Sequence, residues 1–486
     1  MRTERYNGAC GRAALILLFL AGCKAVGPDY QPPASSDPTA TLPAVTGGQP
    51  IAPEEVASWW SAFNDASLTA LITRALQSNP TFLGSLAKVR ESRARLRISK
   101  AGLLPEVDAD GAYQRVRRSD HTGAPYDGYS YSAGFDASWE LDLAGGRRRA
   151  VEAAAAEYEA EYATLEHAWV SLSAETARTY VQLQTIRRNL EVARNNLDLQ
   201  VQTLEILESR AKSGLTDGLA IEQARYNLEQ TRATIPVLQS SEEAALNALA
   251  VLCGVLPGEL DPLLIAAAPI PAVSPRMLSG IPAEALRRRP DVRAAERRLA
   301  AQTARVGEAV AALYPVFRLN GSVGLESLES EDFFKAGSRA FSLGPSVTWP
   351  IFRAGSLRAN IEVQNAQQEQ AFAAYRQTVL AAVQELRDAM ADYVREFERR
   401  DALAKASAAA RSAVAIAQDQ YRNGLADFNS VLDAQRSLLR FEEAMALSEG
   451  AITSHLIRVY KALGGGWSAL GSAQAAAPDE ERLLAE

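Results

Sequence analysis

The chain has 486 residues, with 51 Lys plus Arg against 58 Asp plus Glu and a formal net charge of -7. Nearly half of it (47%) is hydrophobic but only 7% is aromatic, a balance that favours long, closely packed helices over a thick aromatic core. The acidic excess argues against nucleic acid as a partner, because phosphate recognition needs a basic face.

Arg2, Arg5 and Arg12 open the chain and precede an apolar run from Ala13 to Ala21. That run is far short of the ~20 residues a membrane-spanning helix needs, so residues 1–22 read as a cleavable export signal. Leu20-Ala21-Gly22-Cys23 resembles a bacterial lipobox, which makes Cys23 the lipidated first residue of the mature chain. Lys24 follows it where an inner-membrane retention signal would carry aspartate, so the outer membrane is the expected destination. Cys10 leaves with the signal and Cys23 takes lipid, so Cys253 stands alone, is expected to be buried, and no disulfide framework can form. Residues 23–58 are rich in proline and glycine and are expected to form an extended tether, not a helix.

Beyond the tether the chain repeats itself. Asn79-Pro80 recurs as Arg289-Pro290, an offset of 210 residues. The same offset relates Pro105 to Pro315, Trp139 to Trp349, Gly214-Leu215 to Gly424-Leu425 and Asp217 to Asp427. So many matches at one spacing mark a duplication. The first repeat covers 59–263, the second 281–465, and 466–486 form a C-terminal tail. Each repeat predicts helix, strand, strand, very long helix, tight turn and helix.

The strand signal is the clearest. From Tyr129 to Leu143 the apolar residues Tyr131, Ala133, Phe135, Ala137, Trp139 and Leu141 alternate with Ser, Gly, Asp and Glu. In the second repeat Phe341, Leu343, Val347, Trp349 and Ile351 do the same, with Phe317–Glu326 as partner; the first-repeat partner, Val107–Val116, is weaker but in phase. A soluble sandwich also alternates, yet a strand of about 15 residues exceeds the ~9–11 that a membrane barrel strand needs. Four strands cannot close such a barrel, whose smallest form has about eight. The missing strands must come from other copies, and three copies would supply twelve.

The helices are equally distinctive. Arg147–Lys212 contains no proline and would extend for ~100 Å; Gly355–Asn423 is its counterpart. Heptad spacing runs through Leu183, Leu190, Leu197 and Leu204, then through Ile221, Leu228 and Ile235 in the return helix. Val431, Leu438, Met445, Ile452 and Val459 repeat it. Pro236 predicts a kink that Ala446, its counterpart, would not produce. The turns at 213–217 and 423–427 mark the far tip of the helices.

Catalytic patterns are missing. His121, His167 and His455 have no metal-like partners at helical spacing, and there is no nucleophile elbow, phosphate-cradling loop or HExxH. Gly145-Gly146 faintly resembles a phosphate loop, but reads better as a strand-to-helix turn, with Arg147-Arg148-Arg149 as a solvated interfacial cluster.

These segments together resemble the TolC-like outer-membrane efflux proteins, in their NodT lipoprotein branch. The resemblance rests on Cys23 with Val26-Gly27-Pro28-Asp29-Tyr30, Trp59-Trp60 with Phe63 and Asp65, Ile281-Pro282-Ala283, Arg289-Pro290-Asp291 with Glu296, and Gly307 through Tyr314-Pro315. Tyr421-Arg422-Asn423-Gly424-Leu425 with Val431-Leu432-Asp433-Ala434-Gln435 completes it. It implies a mainly α homotrimer: a twelve-stranded β-barrel made from membrane β-hairpin pairs and continuous with a twelve-helix periplasmic α-barrel. Such a channel takes no cofactor beyond the lipid on Cys23, binds no nucleic acid, and serves a periplasmic adaptor protein and an inner-membrane transporter that supplies the energy. Implied gate residues are Leu425, Asp427, Asp433, Tyr421 and Arg422; implied adaptor-docking tips are Gly214, Leu215, Asp217, Gly424 and Leu425. Ser430 stands where some relatives carry a further carboxylate, so the resemblance does not imply a second acidic ring. Two other readings are a protein-secretion channel of the same fold and a lipid-anchored periplasmic scaffold or adaptor. An adaptor would show a lipoyl-like β-domain and a single helical hairpin instead of two.

Overall fold

The computed structural model describes residues 24–33, 58–119, 121, 125–214, 217–264, 268–272 and 287–466. The expected signal peptide, Cys23, most of the tether, the Ile281-Pro282-Ala283 segment, Leu215 and the tail beyond Gly466 lie outside them.

In chain order the main elements are α1 (Ala66–Ser78), α2 (Pro80–Ala101), β1 (Glu106–Arg118), β2 (Tyr126–Leu141), α3 (Gly146–Lys212) and α4 (Gly218–Leu252). Then come α5 (Pro290–Ala311), β3 (Val316–Ser327), β4 (Arg339–Thr348), α6 (Ser356–Arg422) and α7 (Phe428–Ala462). From α2 onward each helix returns 210 residues later with the same length: α5 matches α2 at 22 residues, α6 matches α3 at 67 and α7 matches α4 at 35. The helical stretches need no special explanation: α3 and α6 lack proline throughout and are dominated by Ala, Glu, Gln, Leu and Arg. No described helix is long and apolar enough to cross a membrane. Pro236 falls inside α4, and the helix continues through it to Leu252.

Two compact units divide the chain, and each draws on both repeats. The first comprises residues 1–34, 88–162 and 294–377. It holds a four-stranded antiparallel sheet in the order β1-β2-β3-β4. β1 and β4 are its edges, and neither has a second neighbour among the described residues. β4 ends at Thr348, before the alternation does: Pro350 has no N–H for a ladder, and Ile351 N–H turns back to Trp349 O at 2.9 Å.

The second unit comprises residues 35–87, 163–293 and 378–486 and is helical. Trp59 stacks on Tyr460 at 5.7 Å and meets Phe63 edge-on. Asp65 caps α1 through Leu68 N–H (3.0 Å) and accepts the Tyr180 hydroxyl (2.9 Å). Burial, reinforced by that bond, pushes the Tyr180 hydroxyl up to about 12. Cys253 is buried, as expected. The two repeats solve one local problem differently. Asn79 donates to Leu252 O at 3.0 Å, while Arg289 donates to the equivalent Ala462 O at 2.6 Å. Each side chain before the proline thus occupies a carbonyl left open at the C-terminus of a return helix. The arginine adds a positive charge favoured there, and Asp291 and Glu385 neutralise it at 2.8 Å each.

Candidate functional site

Register places the large apolar residues of the sheet mostly on one face; Ala112, Val116, Val316 and Ala340 fall on the other. Across the sheet, Ala109, Phe135, Val323 and Phe341 lie in one row, and Val107, Ala137, Gly321 and Leu343 in the next. This face is open: Phe341 is 85% exposed, Leu343 76% and Val323 60%. A chain meant for water does not leave so large a continuous apolar surface uncovered.

The opposite face is polar and internally bonded. Ser138 donates to Asn320 (3.2 Å), which donates to Ser346 (2.9 Å), while Ser322 pairs with Ser342 (2.8 Å). Glu140 receives Arg147 (3.1 Å) and Arg318 (3.4 Å). Apolar outside and hydrated inside is the division a membrane barrel wall requires.

Aromatic residues end the apolar band. Trp139 and Trp349 occupy its helix-proximal end, and each indole donates to a carbonyl in the loop before a strand, Leu103 O (3.0 Å) and Leu313 O (3.1 Å). At the hairpin end Tyr113 stacks on Tyr129 at 5.3 Å and meets Tyr131 at 5.1 Å. Trp139 and Tyr129 are ten residues apart on β2. That spans ~33 Å along the strand, or ~25 Å of height at a tilt of ~40°, the depth of an outer-membrane apolar band.

The strand-to-helix junction corrects one expectation. Arg147 and Arg148 are partly solvated and pair with Glu140 and Asp142, but Arg149 is only 3% exposed. Its guanidinium donates to Val26 O (3.1 Å), Gly27 O (3.3 Å), Asp29 (2.7 Å) and Glu152 (2.7 Å). Val26 N–H reaches Ala144 O at 3.0 Å, and Tyr30 donates to Glu296 at 3.0 Å while packing against Ala156, Ala300 and Ala301. These four carbonyl and carboxylate acceptors around one fork explain why arginine is buried there. Bonds from Lys24 and then Arg149 hold the Asp29 carboxyl down at about 2. Residues 24–33 are therefore fastened to the junction, not loose.

Of the expected tip residues, Tyr421 packs against a buried core at the helical turns. Leu207, Ala220, Ala224, Ala417, Phe428, Val431 and Leu432 form one buried cluster, with Tyr421 against it. Gly424 takes φ +71°, and Leu425 N–H returns to Gln420 O at 2.8 Å, a helix-ending turn that only glycine enters without strain. Leu425 itself is 78% exposed, and Gly214 ends α3 with φ +69°. Asp217 and Asp427 are N-caps: their carboxylates accept from Ala220 N–H (3.0 Å) and Ser430 N–H (3.1 Å). Ser430 Oγ also donates to Asp427 at 2.9 Å. Asp433 is exposed and has no bonded partner among the described residues.

Three contacts at these turns escaped the sequence. Arg210 lies over the Tyr421 ring at 5.1 Å and donates to Arg422 O at 3.1 Å, tying the end of α3 to the end of α6. Buried Gln435 donates to Thr203 at 2.9 Å. Arg436 donates to Asn227 (2.9 Å) and to the Tyr226 hydroxyl (2.6 Å). Polar residues on helices signal solvent unless their partners, over 200 residues away, are known. Among the described residues no group of three or more His, Cys, Asp or Glu converges as a metal site would.

The known proteins agree with this geometry. The family of outer membrane efflux proteins matches the chain over residues 71–255 and again over 281–465. Outer membrane protein OprJ of Pseudomonas aeruginosa is 31% identical over 473 residues, which cover 94% of this chain and 96% of that one. The solvent efflux pump outer membrane protein SrpC of Pseudomonas putida is also 31% identical, over 93% of this chain and 97% of its own. The solved outer-membrane channel OprN shares 35% identity at a TM-score of 0.84, covering 91% of this chain and 99% of that one. The chain belongs to the outer membrane efflux protein family: it is a TolC-like efflux channel of the outer membrane, not an enzyme.

Proposed function

We propose that three copies assemble into a twelve-stranded barrel continuous with a twelve-helix periplasmic tunnel, and that this trimer is the passive exit duct of a tripartite efflux pump. The observation that carries the proposal is a four-stranded sheet with two open edges, one apolar face and one hydrogen-bonded polar face. Four strands leave rows of unpaired N–H and C=O groups, which hydrocarbon does not tolerate. Pairing β1 of one copy with β4 of the next removes every edge.

In this reading Cys23 carries the lipid, and the Arg149 junction holds the lipidated end beside the membrane boundary. No other cofactor is needed. The turns with Gly214, Leu215, Asp217, Gly424 and Leu425 meet a periplasmic adaptor, and the transporter behind it supplies the energy. Tyr421, Arg422, Leu425 and Asp433 form the gate, with Asp427 capping the helix that carries Asp433 and Arg210 holding the gate shut. SrpC is a solvent efflux pump component, which supports small toxic compounds as the cargo class here. The residue order 1–22, 23–58, 59–263, 281–465 and 466–486 then reads as signal, tether, two repeats and tail.

Light scattering of the purified protein in detergent, with the detergent mass subtracted, tests the assembly. A trimer is expected; a stable monomer would leave the edges open and sink the proposal.

A further inference from the structure

Beyond the tyrosines, the membrane-facing side of the sheet turns basic. Along β1 the residues that share Tyr113's face are Arg115 and Arg117, ~7 Å and ~13 Å further toward the hairpin. On β4, Arg339 lies on the same face, opposite Leu325 and two residues before Phe341. The face is settled by contact as well as by register: Arg115 lies over the outward Tyr129 ring at 5.9 Å. All three arginines are exposed. Of the acidic groups nearby, Asp127 stands opposite Arg117 in the ladder but pairs with Arg115 at 3.4 Å, and Asp332 pairs with Lys335. The guanidinium groups of Arg117 and Arg339 have no hydrogen-bond or ion-pair partner among the described residues.

We infer that Arg117 and Arg339, with Arg115 beside them, bind the phosphate groups of a phosphorylated lipid in the outer leaflet. This rests on the membrane reading of the sheet and adds a ligand to it. An apolar band ending in stacked tyrosines places these arginines at headgroup depth, where a guanidinium fork matches phosphate bidentately. Arg339 stands on one open edge of the sheet and Arg117 on the other. Closing the barrel brings Arg339 of one copy beside Arg117 of the next, so a lipid phosphate would bridge two copies at each seam. Arg318, Arg147 and Arg148 do not compete, since Glu140 and Asp142 neutralise them.

The test is binding of diphosphoryl lipid A to the full-length protein in detergent, read by native mass spectrometry and by thermal melting. The R117Q/R339Q variant should bind about thirty-fold more weakly, on the usual contribution of two basic residues at an anionic surface. An exposed helix arginine changed in parallel, Arg93→Gln, should have no effect. The native chain, which needs no variant to fold, should be stabilised by diphosphoryl lipid A and not by its dephosphorylated form. Equal binding of the two lipids, unchanged binding by R117Q/R339Q, or equal stabilisation by inorganic phosphate would each overturn the inference. A native chain that inserts into bilayers free of lipid A, yet shows no phosphate preference, would refute the phosphate site alone. Failure to insert at all would refute the membrane reading beneath it.

Discussion

Arg149 shows how one side chain can organise a segment that composition describes only as irregular. Proline and glycine keep residues 24–33 out of helix, but they do not say where the segment lies. The buried guanidinium does, by supplying charged hydrogen bonds to Val26, Gly27 and Asp29 at once. Arg149→Met should destabilise the protein by about 2 kcal/mol, the usual scale for hydrogen bonds to a charged group. Hydrogen exchange at residues 25–30 should then become fast while exchange in α4 is unchanged. Arg149→Lys should rescue little, since one ammonium cannot reproduce the fork. Acid should mimic the mutation through Asp29. Its carboxyl is held down at about 2, so the contribution is complete above the ordinary carboxylate value and is lost as pH falls through about 2. Protection of residues 25–30 that persisted unchanged to pH 1.5 would contradict this.

At the level of elements, strand pairing is governed by close approach as much as by apolar content. Gly134 and Gly324 face each other in the β2–β3 ladder, and a Cβ on either would come within 2.8 Å or less of the opposite strand's backbone. Gly324→Val should therefore break the centre of the sheet and abolish folded protein in the membrane fraction, whereas Gly337→Val, in the connection between β3 and β4, should be tolerated better, with no atom within 4 Å of its added Cβ. Recovery of both variants at native yield would refute the steric argument. The alternation around these glycines was legible in the sequence because a pleat has period two and the apolar residues keep it. The long helices were legible from their uninterrupted composition, and the duplication from one constant offset. What stayed hidden were relations across that distance. The end of β4 depended on Pro350 and on a turn, and the arginine run hid one buried member between solvated neighbours and a helix. Likewise Tyr421 was singled out, but its partner Arg210 sits 211 residues earlier with no local pattern to mark it. Capping gave the opposite lesson: Asp217 and Asp427 follow glycine turns and precede helices, the position where an N-cap is needed, so their structural role was readable although their exposure invites a functional one.

At the scale of the whole channel that distinction becomes testable, because a trimer presents every pore-facing carboxylate three times. Three like charges close together repel unless cations accompany them, and a constriction lined by them therefore favours cations. Asp427 and Asp433 lie six residues apart but differ in what occupies them. One Asp427 oxygen already accepts two bonds from Ser430, whereas the exposed Asp433 carboxylate has no partner among the described residues. Charge selection should then rest on Asp433. In planar-bilayer recordings Asp433→Asn should reduce the preference for potassium over chloride several-fold and leave thermal stability nearly unchanged. Asp427→Ala should do the reverse, lowering stability by about 1 kcal/mol through the lost cap while selectivity persists. Arg210→Ala, which frees α6 from α3 at the turn, should raise the open probability without altering selectivity. If Asp427→Ala shifted selectivity as strongly as Asp433→Asn, the capping carboxylate would also line the constriction, and the assignment of one residue to the helix and the other to the pore would fall.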